Sequence, residues 1–316
     1  MEPPRVEALI AARRPVLGFY SPYFFLRQLL AERQQELFGA GAVARWGSME
    51  GEETVVAPNQ LVHWLLQKLA WDSSYFGTPV YRLFSGLFGA AATEAELTQA
   101  AVALRQRLAA RHGCFYAFSV VPAEDIRLFQ ALTGAGWRLV ETRLTYYRDH
   151  LPAFIYPRFP VRGARPDEAA LVGQVAAAAR NPYDRFHADP WFGEARADAY
   201  LARYAENTVA GNLAATVLVP DAPDLPLASF LAISDLANDS ASLDTRLSRV
   251  LLTAVAPANR GWHRRLVAET LHRAQALGHE AVLMTTQATN HAVFRTCEEL
   301  GFRLGATSHV LACHSH

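Results

Sequence analysis

Cysteine is scarce in this chain of 316 residues, which has only Cys114, Cys297 and Cys313. Three well-separated cysteines cannot form the disulfide framework that holds small secreted domains together. This scarcity fits a reducing compartment, and we expect a cytoplasmic protein. The tail Cys313-His314-Ser315-His316 has no second pair of ligands nearby in the sequence, so we expect no metal site there.

An excess of charge of one sign is also missing, because Lys and Arg number 30 and Asp and Glu also number 30. Proteins that bind nucleic acid or anionic lipid usually carry a basic excess. No apolar run approaches the ~20 residues that span a bilayer, and the first residues do not resemble a secretion signal. We therefore expect neither nucleic acid nor membrane as a partner, and a small-molecule ligand instead.

What the chain does have is an internal repeat with an offset of 165 residues. Gly113 aligns without a gap with Gly278, and residues 136–139 (GWRL) align with residues 301–304 (GFRL). Each copy has an amphipathic helix, a short apolar strand, a second helix, a Gly-aromatic pair and a further strand. This alternation predicts an α/β (α+β) fold with a mixed central sheet flanked by helices, and the length suits two domains.

Hydrophobic periodicity gives matching elements in the two copies. Gly278 is suited to end one helix of the C-terminal copy, and Asn290 is suited to cap the next. The N-terminal copy has a predicted helix at 96–112, strand at 115–121, helix at 125–135 and strand at 137–147. The C-terminal copy has a predicted strand at 249–256, helix at 266–277, strand at 281–284, helix at 290–300 and strand at 302–312.

The remaining segments complete the predicted organisation. A Pro- and aromatic-rich stretch suggests a linker at residues 151–160. It separates an incomplete first domain, 61–150, from a complete second domain, 161–316. Residues 1–60 are expected to be a helical extension in which 20–38 form a helix. The elements expected after the linker are a strand at 161–165, helices at 167–180 and 195–209, and strands at 213–219 and 225–234.

The two copies differ just before the repeated helix. In the C-terminal copy a strand is followed by Arg260-Gly261 and then by a helix start that carries Arg264 and Arg265. Free N–H groups at such a helix start, together with the helix dipole and the arginines, suit a diphosphate. The N-terminal copy has an acidic capping box at 93–96 instead, which would repel a diphosphate. We therefore predict that only the C-terminal copy binds a diphosphate-containing cofactor.

These features resemble the GNAT N-acetyltransferase superfamily, from about residue 161 to residue 316. Its members carry a strand, Arg/Gln-x-x-Gly-x-Gly/Ala and a helix, and later an Asn that opens a helix ending in Gly-Phe. The matching residues are Arg260, Gly261, Asn290, Gly301 and Phe302. The stretches 69–77 and 184–190 are similar to the TDP-fucosamine acetyltransferase type, which also pairs an incomplete GNAT-like domain with a complete one.

The resemblance implies acetyl-CoA as co-substrate, with direct attack of an amine on the thioester. It assigns the pantetheine and thioester to the backbone N–H groups of one strand end, the diphosphate to the following loop, and a further contact to Asn290. The strand residues are Thr253, Ala254 and Val255, and the loop residues are Arg260, Gly261, Trp262, His263, Arg264 and Arg265.

Some residues depart from the family pattern. His263 and Arg265 replace loop glycines, which crowds the approach of the diphosphate. Cys297 takes the place of a Tyr that can protonate the departing thiolate, and either proton donation or simple packing in the core explains a Cys there. His187 has a suitable intrinsic pKa for a general base, with a turn or capping role for its segment as the alternative.

Three functions follow as alternatives. The first is acetyl transfer to a small amine, with a nucleotide-linked amino sugar as the first acceptor to consider. The second is acetyl transfer to a peptide or protein amine. The third is an inactive GNAT-fold scaffold, and the departures from the family pattern at residues 263, 265 and 297 support it. The sequence leaves the oligomeric state open, with a homodimer as one alternative.

Overall fold

The computed structural model describes residues 5–315, which divide into two compact units. The first unit comprises residues 5–142 together with 306–315, and the second comprises 143–305. The predicted domains 61–150 and 161–316 do not follow this division, since the last strand of the chain belongs to the first unit. The predicted boundaries between the two repeat copies therefore stay a prediction.

The first unit is a sheet with helices packed against it. Its helices are α1 (Val6–Leu17), α2 (Ala31–Phe38), α3 (Ala40–Ala44), α4 (Ala70–Phe76), α5 (Glu94–His112) and α6 (Ile126–Gly134). Its strands are β1 (Glu52–Val56), β2 (Val62–Lys68), β3 (Val80–Phe88), β4 (Phe115–Pro122), the first half of β5 (Arg138–Arg148), and β11 (Arg303–Ser315) from residue 306 onward.

The strands of this unit follow the order β1-β2-β3-β4-β11-β5. β3 and β4 are parallel, and the pairs β1–β2, β2–β3 and β4–β11 are antiparallel. The core lies between this sheet and helices α5 and α6, and Trp64, Leu104, Leu128 and Trp137 are buried there. α5 begins at the predicted capping box, in which Thr93 accepts from the Glu96 N–H and the Glu96 carboxylate accepts from the Thr93 N–H.

The second unit has the same general plan. Its helices are α7 (Ala169–Ala178), α8 (Arg185–Ala188), α9 (Glu194–Val209), α10 (Ala237–Leu243), α11 (Trp262–Ala276) and α12 (His291–Glu299). Its strands are the second half of β5, β6 (Val161–Gly163), β7 (Thr216–Pro220), β8 (Ser229–Ser234), β9 (Leu247–Val255) and β10 (Ala281–Gln287).

The strand order of the second unit is β5-β10-β9-β8-β7-β6, and the neighbouring strands β9 and β10 are parallel. α11 and α12 pack on one face of the sheet, where Leu266, Leu271 and Cys297 are buried. α7 contributes Val172 and Val175 to a second core with strand residues of β7, β8 and β9. The mixed sheet flanked by helices confirms the predicted fold class.

The final strands of the two repeat copies are exchanged. β11, which ends the C-terminal copy, pairs with β4 of the N-terminal copy through Val310 opposite Val120. Residues 143–148 of β5, which end the N-terminal copy, pair with β10 through Tyr146 opposite Met284. Both copies have the same hydrophobic pattern, so the sequence periodicity does not distinguish pairing within a copy from exchange.

The N-terminal segment differs from its prediction. A continuous helix over 20–38 is wrong, because residues 18–20 form a short 3-10 helix and α2 begins only at Ala31. Pro22, which has no backbone N–H, lies where that helix would have continued. Residues 5–60, which were expected to belong to a helical extension, also contain a strand, because residues 52–56 pair with β2.

None of the helices within residues 5–315 is both long and apolar enough to cross a bilayer.

Candidate active site

In the second unit, the two parallel strands β9 and β10 separate towards their carboxyl ends. β9 and β10 pair from Leu247 opposite Ala281 to Val250 opposite Met284, whereas β9 continues to Val255. The register between β8 and β9 shifts at the same level, which leaves Leu251 of β9 as the extra residue of a β-bulge. A bulge bends its strand, and here it coincides with the point where β9 leaves β10. We call this opening between β9 and β10 the strand cleft.

Two backbone N–H groups of β9 point into the strand cleft. The Ala256 N–H donates to the carbonyl oxygen of Ala228, at 2.8 Å, which directs it towards β8. Because N–H groups alternate along a strand, Ala254 also faces β8, while Thr253 and Val255 face the edge that β10 has left. Of the three strand residues predicted to present N–H groups to a ligand, Thr253 and Val255 have the required direction and Ala254 does not.

The start of α11 lies just beyond the end of β9. Gly261 precedes the helix with φ +91°, a conformation that glycine adopts without strain, and it offers no side-chain cap. The N–H groups of the first turn therefore lack intrahelical acceptors, which is the arrangement that suits an anion. Trp262, the first helical residue, is buried in the core and fixes the helix start.

The three arginines of this loop are held differently. Arg260 is exposed at the loop. Arg264 donates to Glu299 at 2.6 Å, and both side chains are half exposed. Arg265 lies over the rings of Trp262 and Phe159, with its guanidinium carbon 5.0 and 5.4 Å from the ring centroids.

His263 turns towards α12. Its Nδ1 lies 3.0 Å from the Thr296 hydroxyl, and its Nε2 is buried without a hydrogen-bond partner among residues 5–315. Burial lowers the pKa of His263 to about 4, so the ring is neutral at physiological pH. The large side chains of His263 and Arg265 are thus both held by contacts with other protein groups.

Asn290 caps α12, as predicted, by accepting from the Val293 N–H at 3.3 Å. The capping carbonyl oxygen is therefore occupied. Asn290 follows β10 and so lies at the carboxyl-end side of the strand cleft, near the elements that carry residues 253–255 and 260–265.

Cys297 lies in the core on α12 and is fully buried. Burial raises the pKa of its thiol to about 12. A proton donor must reach the departing group, so this environment favours the packing interpretation of Cys297 over the role of an acid.

His187 is held on α8 by two carboxylates. Its Nδ1 lies 2.7 Å from Asp184 and its Nε2 3.0 Å from Asp198, and its side chain is 5% exposed. A general base needs a free ring nitrogen that reaches the substrate. The geometry therefore favours a structural role for His187. The sequence analysis gave a turn or capping role for this segment as the alternative to a general base.

Sequence reasoning missed the contacts that order this segment. Asp198 of α9 joins His187 to Arg180, with 2.7 Å between a carboxylate oxygen and the guanidinium. Asn181 donates to the side chain of Gln287, the last residue of β10, at 2.8 Å. The segment that begins at Asn181 is therefore attached to the open end of the strand cleft. The two residues that form this contact are far apart in the chain, so the spacing of residues in the sequence does not indicate it.

The first unit has a counterpart of the strand cleft, and it is filled. β3 and β4 pair only from Val80 to Leu83, and the register between β2 and β3 shifts at this level. The guanidinium of Arg13, from α1, donates to the carbonyl oxygen of Gly86 on β3 at 3.1 Å and to both carboxylate oxygens of Asp125. Protein groups thus occupy this opening, and the statement that one copy alone binds the cofactor stays a prediction.

The groups around the strand cleft suit acetyl-CoA chemically. The N–H groups of Thr253 and Val255 match the carbonyl oxygens of a pantetheine and a thioester. The unpaired N–H groups of α11 and the exposed Arg260 match a diphosphate. The buried, unpartnered Nε2 of His263 adds one further polar atom beside α12. Among residues 5–315, no group of three or more His, Cys, Asp or Glu side chains could hold a metal ion.

Comparison with known proteins supports this description of the fold. No protein-family model matches the chain, and no curated protein matches it in sequence. A solved GCN5-related N-acetyltransferase from Sphaerobacter thermophilus is similar over 98% of this chain and 94% of its own, with 13% identity and a TM-score of 0.56. A functionally unknown conserved protein from Staphylococcus epidermidis matches 80% of this chain and 91% of its own, with 10% identity and a TM-score of 0.51.

A third similar structure is a GCN5-related glucosamine N-acetyltransferase region in a fungal multi-domain GH3 β-N-acetylglucosaminidase. The match covers 98% of this chain and 37% of that one, with 13% identity and a TM-score of 0.57. The fold is therefore that of the GNAT N-acetyltransferases. None of these three proteins is described as a TDP-fucosamine acetyltransferase, so that finer resemblance stays a prediction.

Proposed function

We propose that this protein is an acetyl-CoA-dependent N-acetyltransferase whose active site is the strand cleft of the second unit. The observation that carries the proposal is the separation of β9 from β10 at a β-bulge, with the N–H groups of Thr253 and Val255 directed into the opening. Acetyl-CoA would supply an activated acetyl group there. The protein's part is to hold the thioester carbonyl on fixed donors while an amine attacks it.

The diphosphate would bind at the start of α11. Arg260 and Arg264 add positive charge to the free N–H groups of this turn, and the Arg264–Glu299 pair is exposed enough to rearrange at small cost. The first acceptor to test is a nucleotide-linked amino sugar, in keeping with the two stretches shared with the TDP-fucosamine type. A peptide amine is the second candidate.

The first experiment is calorimetric titration of the full chain with acetyl-CoA. We expect binding in the micromolar range, and a loss of at least about tenfold, ~1.4 kcal/mol, in the variant Arg260→Ala, Arg264→Ala. Arg203→Ala is the matched control, because it also removes an exposed arginine paired with a glutamate, at 3.2 Å, but on α9.

A panel of acceptors then separates the remaining alternatives. Thiol release from acetyl-CoA is measured with TDP-linked amino sugars, free glucosamine and a short peptide with a free amino terminus. Preference for the sugars supports the proposed acceptor class, and preference for the peptide replaces it. An absence of binding at millimolar acetyl-CoA overturns the transferase and leaves a GNAT-fold scaffold.

A further inference from the structure

The exchanged strand β5 brings a tyrosine to the closed end of the strand cleft. Tyr146 pairs with Met284, and Met284 pairs in turn with Val250, the last paired residue of β9. These three residues form one row across the sheet, at the level where β9 and β10 begin to separate. Adjacent strands lie about 4.8 Å apart, so Tyr146 is one strand spacing from β10, the strand that forms one wall of the cleft.

The Tyr146 side chain lies on the face of the sheet that carries α11 and α12. Its ring packs against the core that contains Met284 and Cys297, and its centroid is 6.1 Å from that of Phe294 on α12. The side chain is half-buried, and its hydroxyl has no hydrogen-bond partner within residues 5–315. Tyr146 thus offers an unused O–H on the face where the family places its α12 tyrosine and where this chain has the buried Cys297.

We propose that Tyr146 is the general acid of the acetyl transfer, in place of a residue on α12. This inference rests on the proposed function. As the amine nitrogen forms its bond to the acetyl carbon, the C–S bond breaks and the sulfur takes the electron pair. The sulfur receives the phenolic proton of Tyr146, the nitrogen loses its extra proton to solvent, and the phenolate regains a proton from solvent.

The environment of Tyr146 suits this role. Burial, and then the nearby Cys297 and Glu298, raise the pKa of the phenol above its usual value of 10.0. The phenol therefore remains protonated across the physiological range and is ready to donate. This role also explains why α12 has Cys297 and no tyrosine at this position, since β5 of the other repeat copy supplies the tyrosine.

The decisive measurement is ligand binding, which requires no acceptor. CoA and desulfo-CoA, which lacks the sulfur, are titrated calorimetrically at about pH 9, where a large fraction of the thiol (ordinary pKa ~8.5) is ionised. A hydrogen bond from Tyr146 to the thiolate is charge-assisted, so the wild type should prefer CoA over desulfo-CoA by about tenfold or more. Tyr146→Phe should reduce this preference to about twofold while binding desulfo-CoA like the wild type, and Cys297→Ala should retain it.

Turnover gives an independent measurement with the best acceptor from the panel. We expect Tyr146→Phe to lower kcat by about a hundredfold or more with little change in KM for acetyl-CoA.

The outcomes separate the two proposals. If neither CoA nor desulfo-CoA binds, the proposed function fails and this inference fails with it. If both ligands bind but Tyr146→Phe keeps the full preference for CoA, the cofactor site stands and the role of Tyr146 is overturned.

Discussion

Arg13 and Asp125 form a fully buried ion pair that closes one of two similar clefts. The two residues are 112 positions apart, and their side chains are only 5% and 1% exposed. The Tyr20 hydroxyl donates to the same carboxylate at 2.7 Å. Asp125 is the N-cap of α6 and aligns, at the offset of 165, with Asn290 of α12. A neutral cap in one copy and a charged, paired cap in the other distinguish the open cleft from the filled one.

The buried pair gives a first prediction about stability. Arg13→Ala leaves the Asp125 carboxylate buried without its main partner, so the free energy of unfolding should fall by about 3–5 kcal/mol. The double variant Arg13→Ala, Asp125→Asn should lose less than the sum of the two single variants, because it also removes the unpaired charge. Urea unfolding measures all three, and strictly additive losses would contradict a direct coupling.

The cysteines give a second prediction. Cys114 is exposed, whereas Cys297 and Cys313 are buried and burial raises the pKa of both thiols. A thiol reagent should therefore label one cysteine per native chain quickly, and all three only after unfolding. Cys114→Ser is the control and should abolish the fast reaction. Fast labelling of Cys297 in that variant would instead show that α12 opens readily and would revive its candidacy as a proton donor.

His263 gives a third prediction, on pH. Its pKa falls from 6.5 to about 4 on folding because the ring is buried. Between these values the unfolded chain binds the proton and the folded chain does not. Stability is therefore fully retained above about pH 6.5 and lost as the pH falls towards 4, by ~3 kcal/mol in all. Unfolding of the wild type and of His263→Gln is compared across this range, and the variant should show a smaller loss; equal slopes would contradict the assignment.

His187 gives a fourth prediction, which separates a structural role from a catalytic one. His187→Ala removes the link between Asp184 and Asp198 and should cost about 1–3 kcal/mol of stability. At a temperature where the variant stays folded, kcat should remain within about threefold of the wild type. A fall of a hundredfold or more, the size typical for loss of a general base, would restore His187 to the mechanism.

Local signals explain how much of the fold the sequence predicts. The capping box at 93–96 and the cap at Asn290 are set by residues three positions apart, and both are present in the structure. The glycines at 113 and 278 have positive φ at the ends of the predicted helices. Strands 115–121 and 281–284 were likewise evident, because buried strands are continuously apolar.

The rest depends on contacts that sequence spacing does not encode. Nothing in the sequence near Tyr146 indicates that it lies beside Met284, because Tyr146 belongs to the N-terminal repeat copy and Met284 to the C-terminal one. Arg13 is one of two arginines on an amphipathic helix, and only the folded unit shows that it is buried. The role predicted for Cys297 came from its place in the GNAT pattern and that for His187 from its intrinsic pKa, and burial and hydrogen bonding then disfavoured both.

Because the final strands are exchanged, each unit is completed only by a strand from the other repeat copy. The first unit lacks the strand next to β4 until residues 306–315 have left the ribosome, although its other strands emerge much earlier. Until then the edge of β4 stays open to unwanted pairing with other chains. A cut within 151–160 would leave each fragment without the strand it receives from the other. Two such fragments, expressed together, should need each other in order to fold, as the halves of a split reporter do.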